Sequence, residues 1–191
     1  MTESLNNSKT ALRQRVRARL RALTVEQCRA DSQRVCERLL TLPAWKQARI
    51  VLLFAPMKDE VDILPLISSA LKEGKEVTLP KLEPSGFHYY ACPMKSVDDL
   101  SPGKFGILEP PHASTAMALN RLDLVLVPGV AFDASGGRLG RGKGFYDRLL
   151  PAVNGLKCGV AFDEQIVDAV PVGPMDVRLN CILTPTRWIE T

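Results

Sequence analysis

The sequence predicts an α/β protein, an open and mostly parallel sheet flanked by helices, from three observations. Residues 49–80 spell a strand, helix, strand unit: "RIVLLFAP" is β-branched and aliphatic, "VDILPLISSALKEGK" is helical and closed by Gly74, and "EVTLP" follows. The run "LDLVLVPGVAF" is continuously apolar, the composition of a strand covered on both faces in a parallel sheet. "LKCGVAF" and "LNCILTP" repeat that character towards the C-terminus, while "FHYYAC" alternates like an exposed strand.

A helical hairpin over about residues 9–41 is expected to precede the sheet. From Lys9 to Leu23, Leu12, Val16, Leu20 and Leu23 recur at helical spacing and form one buried stripe. "TVEQ" at 24–27 fits a capping box, with Thr24 as N-cap and Gln27 three residues on, and the helix it starts runs to about Leu40, before Pro43. The stretch 93–115 is a long irregular excursion of the kind that serves function in a compact domain.

Composition narrows the classes. The chain has 191 residues, enough for one well-buried domain, and its 46% hydrophobic and 24% charged content excludes disordered and collagen-like classes. No apolar run reaches the roughly 20 residues of a membrane span, and the N-terminus lacks the apolar core of a signal peptide, so a cytoplasmic protein without membrane contact is expected. Five cysteines, odd in number and without C-x-x-C spacing, are expected as buried thiols. The net charge of +4 is uneven: residues 1–50 carry 11 Lys and Arg against 4 Asp and Glu. Such a segment could attract nucleic acid, an acidic membrane surface or a small polyanion, and charge alone does not choose. Against nucleic acid, the Arg-rich face has no interleaved aromatics for base stacking.

The chemistry concentrates in "DASGGRLGRGKGFYDRLL", residues 133–150. Gly137, four residues, then Gly142-Lys143 is the frame of a phosphate-binding P-loop, except that Gly144 stands where that motif has a metal-binding Ser or Thr. Gly137, Gly140, Gly142 and Gly144 would let backbone N–H groups approach an anion, and Arg138, Arg141 and Lys143 would neutralise it. The loop follows an apolar strand and precedes a helix starting near Phe145, which is the context an anion loop requires. The plain alternative is a solvated, turn-rich surface loop.

Three further groups point towards the same place. Asp147 lies on the first turn of that helix, where a carboxylate either complements the helix dipole or offers Mg²⁺ a hard oxygen. Lys9 and Arg13 fall in or beside the sector of Leu12 and Val16, which means either snorkelling over a core edge or leaning over a nucleotide. Glu60 follows the first strand and shares the carboxyl edge of the sheet with the glycine loop if the strands are parallel; Asp59 and Asp62 beside it read as a plain acidic turn. The two histidines, His88 and His112, stand in no metal-ligand spacing, and neither G-x-S-x-G nor H-E-x-x-H occurs, which argues against a serine hydrolase or zinc enzyme.

With these residues assembled, the chain resembles the 5-formyltetrahydrofolate cyclo-ligase family, also called methenyltetrahydrofolate synthetase, over nearly its whole length. "PGVAFDASGGRLGRGKGFYDRLL" at 128–150 looks like the family's signature loop. Supporting it are the Lys9 and Arg13 helix, "LLFAPMKDEVD" with Glu60, "LPK" at 79–81, "FGILEP" at 105–110 and "PMDVRLNCILT" at 174–184. The resemblance implies a Rossmann-like fold and the MgATP-dependent closure of 5-formyltetrahydrofolate to 5,10-methenyltetrahydrofolate, releasing ADP and phosphate. It implies that Lys9, Arg13, Arg138, Leu139, Gly140, Arg141, Gly142, Lys143, Gly144, Phe145 and Tyr146 bind ATP. Arg141, Gly142, Lys143, Gly144 and Phe145 would also face the folate, Glu60 would accept hydrogen bonds from the pterin, and Asp147 and Asp176 would hold Mg²⁺. Phe105 stands where the family commonly has Trp packed on the folate, and Phe145 where Tyr is frequent.

A formyl amide is a poor electrophile, so the implied role of ATP is to phosphorylate the formyl oxygen before N10 attacks. Phosphoryl transfer asks mainly for positioning and charge. Arg141 and Lys143 are accordingly expected to stabilise the transferring group and Tyr146 to orient substrate or phosphate, as catalytic residues. The basic N-terminal segment would attract the glutamate tail of a polyglutamylated folate, and a monomer is expected. Two other readings stand beside this one: a related ATP-dependent ligase for another formylated or carboxylated substrate, and a nucleic-acid-binding protein using the basic helices.

Overall fold

The computed structural model describes residues 2–83, 85–103, 107–110 and 116–191. Helix α1 (Thr2–Leu20) begins seven residues before Lys9, a correction to the expected start there. The added turns carry no stripe of their own, although Leu5 lies close against Gly173. Leu12 and Val16 are buried with Val130, Ala131, Leu139, Val167 and Val170, so α1 packs on the segment that leads into the glycine loop.

The capping box of α2 (Val25–Thr41) forms as expected: Gln27 N–H donates to Thr24 Oγ1 at 3.1 Å, and Thr24 N–H donates to Gln27 Oε1 at 2.8 Å. A short helix α3 (Pro43–Gln47) was not anticipated, because Pro43 reads as a stop for α2 and is also suited to the first turn of a new helix. It buries Trp45, whose Nε1 donates to Glu73 Oε2 at 3.0 Å, while Lys75 Nζ donates to the carbonyls of Trp45 and Ala48 at 2.8 Å each.

Seven strands make the main sheet. They are β1 (Ile50–Leu52), β2 (Glu76–Leu82), β3 (Tyr89–Met94), β6 (Leu124–Val127), β9 (Leu156–Val160), β10 (Cys181–Leu183) and β11 (Trp188–Glu190), in the order β11-β10-β9-β6-β1-β2-β3. The five central strands run parallel; β3 and β11 close the edges antiparallel. The expected open, mostly parallel α/β sheet is thus observed, and the sequence-adjacent β1 and β2 form the predicted unit around α4 (Leu64–Lys72). All four residues of β6 are buried, as a strand covered on both faces requires.

Two apolar runs are shorter as strands than as sequence. "RIVLLFAP" pairs only at 50–52, after which Leu53, Phe54 and Ala55, all buried, carry the chain over the carboxyl end of the sheet to Pro56. "LDLVLVPGVAF" breaks at Pro128-Gly129 and resumes as β7 (Ala131–Phe132), which pairs antiparallel with β8 (Arg138–Leu139). Proline cannot donate to the ladder. Gly129 lies against the Phe132 ring, where a Cβ would come within 2.6 Å of Cζ. A further two-residue pair, β4 (Ser101–Pro102) with β5 (Leu108–Glu109), lies in the long excursion.

Reading the parallel strands in chain order, β2 lies on one side of β1, and β6, β9 and β10 follow on the other. The direction of winding therefore reverses between β1 and β6. Neighbouring connections leave to opposite faces there and open a crevice at the strand ends, the usual ligand position of doubly wound sheets.

Candidate active site

A cleft of about 280 Å³ occupies that crevice. Phe54, Ala55, Met57 and Glu60 line it from beyond β1, Pro128 and Gly129 from beyond β6, and residues of the glycine loop from Arg138 to Asp147 from the third side. Tyr89 of β3 and Ile107, Leu108 and Glu109 of the long excursion complete the wall. Glu60 and the glycine loop thus share the carboxyl edge, as expected for parallel strands.

The loop is built from a tight hairpin. Asp133 Oδ1 accepts from Ser135 N–H at 2.9 Å, Ser135 Oγ at 2.7 Å and Gly137 N–H at 2.9 Å, and Oδ2 accepts from Val170 N–H at 2.7 Å. Burial alone would raise this carboxyl; the four donors outweigh it and hold Asp133 below the ordinary carboxylate range. Gly136 adopts a φ of 80°, which the turn needs. The first half of the P-loop frame is consequently a β-hairpin whose Gly137 N–H is already used. From Gly140 on, the loop lines the cleft.

Each loop cation has a distinct situation. Arg138, its side chain 4% exposed, donates from Nη2 to Asp147 Oδ1 at 2.7 Å and from Nη1 to Pro128 O at 3.2 Å, and its guanidinium lies 5.6 Å from the Tyr146 ring centroid. Arg141 reaches across the cleft, donating from Nε to Glu60 Oε1 at 3.1 Å and from Nη2 to Asp59. Lys143 is exposed at the cleft and makes no side-chain hydrogen bond or ion pair among the described residues. Gly142 and Gly144, with φ of 101° and 66°, sit in the left-handed region around it. Gly144 is the N-cap of α5 (Phe145–Leu149), and a Cβ there would press on Arg148 Nη1 at 2.9 Å.

The N-terminal helix delivers both expected cations. Arg13 Nε donates to Gly140 O at 2.9 Å, and Lys9 Nζ donates to Asp176 Oδ2, which also accepts from Gly173 N–H at 2.6 Å. Burial would raise Asp176, but Lys9 and the Gly173 N–H outweigh it and hold its carboxyl below the ordinary range. Arg138 adds to that lowering.

Two titratable groups that line the cleft are pushed up by burial. Burial pushes the Glu60 carboxyl up, opposed by the Met57 N–H, which donates to Oε2 at 2.9 Å, and by Arg141. The Tyr146 hydroxyl is buried with no hydrogen-bond partner among the described residues, and burial pushes its phenol well up, so it stays a neutral donor. Its ring lies 6.2 Å from that of Tyr89, which packs tilted at 41° against Phe145 with centroids 4.6 Å apart.

Against the sequence expectations, the fold brings Glu60, Arg138, Gly140, Arg141, Lys143, Gly144, Phe145, Tyr146 and Asp147 to one cleft. Arg13 joins through Gly140, and Gly142 lies beside Arg13. Lys9 and Asp176 meet each other rather than the cleft lining. Leu139, expected among the ATP contacts, instead packs its side chain with Leu12 and Val16 in the core, because β8 alternates faces. Phe105 lies outside the described residues. Sequence reasoning missed Asp133, Tyr89 and Asp59. Only the first had a signal, since Asp followed by Ser and a Gly pair is turn chemistry in which the carboxylate bonds its own backbone.

Asp147 and Asp176 differ from a ready-made metal cage. Among the described residues no three His, Cys, Asp or Glu side chains converge as metal ligands. Each of the two aspartates keeps one oxygen, Oδ2 of Asp147 and Oδ1 of Asp176, with no hydrogen bond among the described residues. Mg²⁺ commonly takes only one or two carboxylates and completes its shell with phosphate oxygens and water, and this donor set fits that habit.

The chain has relatives that match it over nearly its whole length. Residues 5–185 match the model of the 5-formyltetrahydrofolate cyclo-ligase family. The chain is 36% identical over 180 residues to the 5-formyltetrahydrofolate cyclo-ligase of Escherichia coli K12, covering 92% of this chain and 99% of that one. Its fold is similar to the NMR structure of Aquifex aeolicus 5,10-methenyltetrahydrofolate synthetase, with a TM-score of 0.85 and 39% identity over 95% of this chain and 92% of that one. It is also similar in fold to a 5,10-methenyltetrahydrofolate synthetase from Mycoplasma pneumoniae, with a TM-score of 0.74, 24% identity and coverage of 93% and 98%. The chain belongs to the 5-formyltetrahydrofolate cyclo-ligase family of enzymes.

Proposed function

We propose that the enzyme converts 5-formyltetrahydrofolate and ATP into 5,10-methenyltetrahydrofolate, ADP and phosphate in the switch-point cleft. The observation that carries this reading is the division of the cleft. One side offers Arg13, Lys143 and the open backbone of Gly140 to Gly144 to an anion. The other offers the buried Glu60 carboxyl and the Tyr89, Phe145 and Tyr146 rings to a flat heteroaromatic ligand.

The residues then have separable tasks. Glu60 accepts hydrogen bonds from the pyrimidine N–H groups of the pterin, and its burial makes that match selective. The formyl oxygen takes the γ-phosphoryl group and ADP departs; Lys143 and Arg141 stabilise the charge on the transferring oxygens. N10 then attacks the activated formyl carbon, the C–O bond breaks with phosphate as leaving group, and N10 loses its proton. The Tyr146 hydroxyl, neutral and unpartnered, donates a hydrogen bond to substrate or phosphate. Lys9 and Arg13 bind the nucleotide from α1, Arg13 beside the loop through Gly140 and Lys9 beside Asp176. Asp147 and Asp176 would hold Mg²⁺, which when bound neutralises phosphate charge.

The test is direct. Purified protein with MgATP and 5-formyltetrahydrofolate should develop the methenyl chromophore. A flat absorbance trace beside an active control enzyme overturns the reading, and a product formed only from another formylated or carboxylated substrate reassigns it.

A further inference from the structure

Asp59 has no task in the proposed reaction, yet it holds one of its cations. It stands in the turn after β1, and its carboxylate accepts from Arg141 Nη2, while Arg141 Nε donates to Glu60 Oε1 at 3.1 Å. A guanidinium is one rigid fork. Aimed at the two carboxylates of this turn, it is not aimed at phosphates on the glycine loop that carries it. The two anchors differ: the Glu60 side chain is 8% exposed and the Asp59 side chain 40%.

Resting on the function proposed above, in which Arg141 serves the phosphoryl group, we propose that Asp59 is a positioning residue. It competes with the phosphates of the nucleotide for Arg141 and keeps that cation on the folate side of the cleft until nucleotide binds. Folate weakens the same hold from the other end. Pterin donors on Glu60 displace Arg141 from its buried anchor and leave only the exposed one. By linkage, each substrate then tightens the other.

The experiment is a calorimetric titration of the folate-free enzyme with an ATP analogue whose β–γ bridge is nitrogen. Asp59→Asn and Asp59→Ala should bind it roughly three- to fivefold more tightly than the wild type, the range of a partly exposed ion pair. Asp59→Glu should restore the wild-type value. A merely structural role would weaken binding or leave it unchanged. Asp62→Asn removes one charge from the same turn but no Arg141 contact, since among the described residues Asp62 Oδ1 accepts only from Leu64 N–H, at 3.0 Å. It should leave the titration unmoved. Unchanged or weaker binding in Asp59→Asn and Asp59→Ala, or equal tightening by Asp62→Asn, overturns the proposal. The chromophore assay on the wild type judges the activity separately, so an enzyme that turns over without the Asp59 effect refutes only this inference.

Discussion

Arg138 Nη2 donates to Asp147 Oδ1 at 2.7 Å, joining the buried strand β8 to the first turn of α5 across the base of the glycine loop. The arginine side chain is 4% exposed and the aspartate 21%, so the guanidinium depends on a carboxylate that also faces the cleft. Loop shape and loop charge are therefore coupled through one pair.

Asp147→Asn should be costly for that reason. It leaves Arg138 buried with the Pro128 carbonyl at 3.2 Å as its remaining acceptor. Breaking a fully buried pair costs about 3–5 kcal/mol, and partial exposure here reduces that to about 2 kcal/mol. The expected fall in melting temperature is roughly 4–8 °C for a chain of this size. A thermal melt checks this, and a magnesium titration of activity should shift to higher concentration in the same variant.

Lys143→Ala should behave oppositely. The side chain is exposed and unpaired among the described residues, so stability should change by no more than about 0.5 kcal/mol. Turnover should fall by roughly a hundredfold or more, the scale for removing one donor to a developing charge. A wild-type melt with a near-normal rate would move the catalytic weight elsewhere.

Tyr146→Phe removes a buried hydroxyl that has no partner in the described structure. Folding stability should hold or rise by up to about 1 kcal/mol, because an unmade hydrogen bond is relieved. If the hydroxyl serves substrate, kcat/KM should fall together with that gain; parallel melts and chromophore assays read both.

Asp133 makes a pH prediction. Unfolded, it titrates near the ordinary carboxylate value of about 3.9; folded, its donors hold it lower. The stability it contributes is complete above that ordinary value and is lost as pH falls through the folded one. Denaturant titrations below about pH 4 should therefore show a shallower decline of stability with falling pH in Asp133→Asn than in the wild type.

How much of this was legible in the sequence depends on the range of the interaction. β6 was readable because burial on both faces demands an unbroken apolar run, and α2 because its capping box is local. α3 and β11 were not, since Pro43 serves two meanings and "WIE" is too short to show a period. At the site, glycines and cations marked the loop because backbone approach and charge need those residue types. Their pairing was hidden: Arg141 meets Asp59 and Glu60 from 82 and 81 residues away, and nothing local ranks Asp59 above Asp62.

The lysine of α1 that meets Asp176 is separated from it by 167 residues. Arg13 likewise braces a loop 127 residues downstream. A chain emerging from a ribosome could therefore seat Arg13 on Gly140 before residues 173–176, which meet Lys9, had been synthesised. The two cations of α1 are thus secured one after the other, the arginine by the glycine loop and the lysine by a later turn, so the order of synthesis is written into the order in which one helix is fastened.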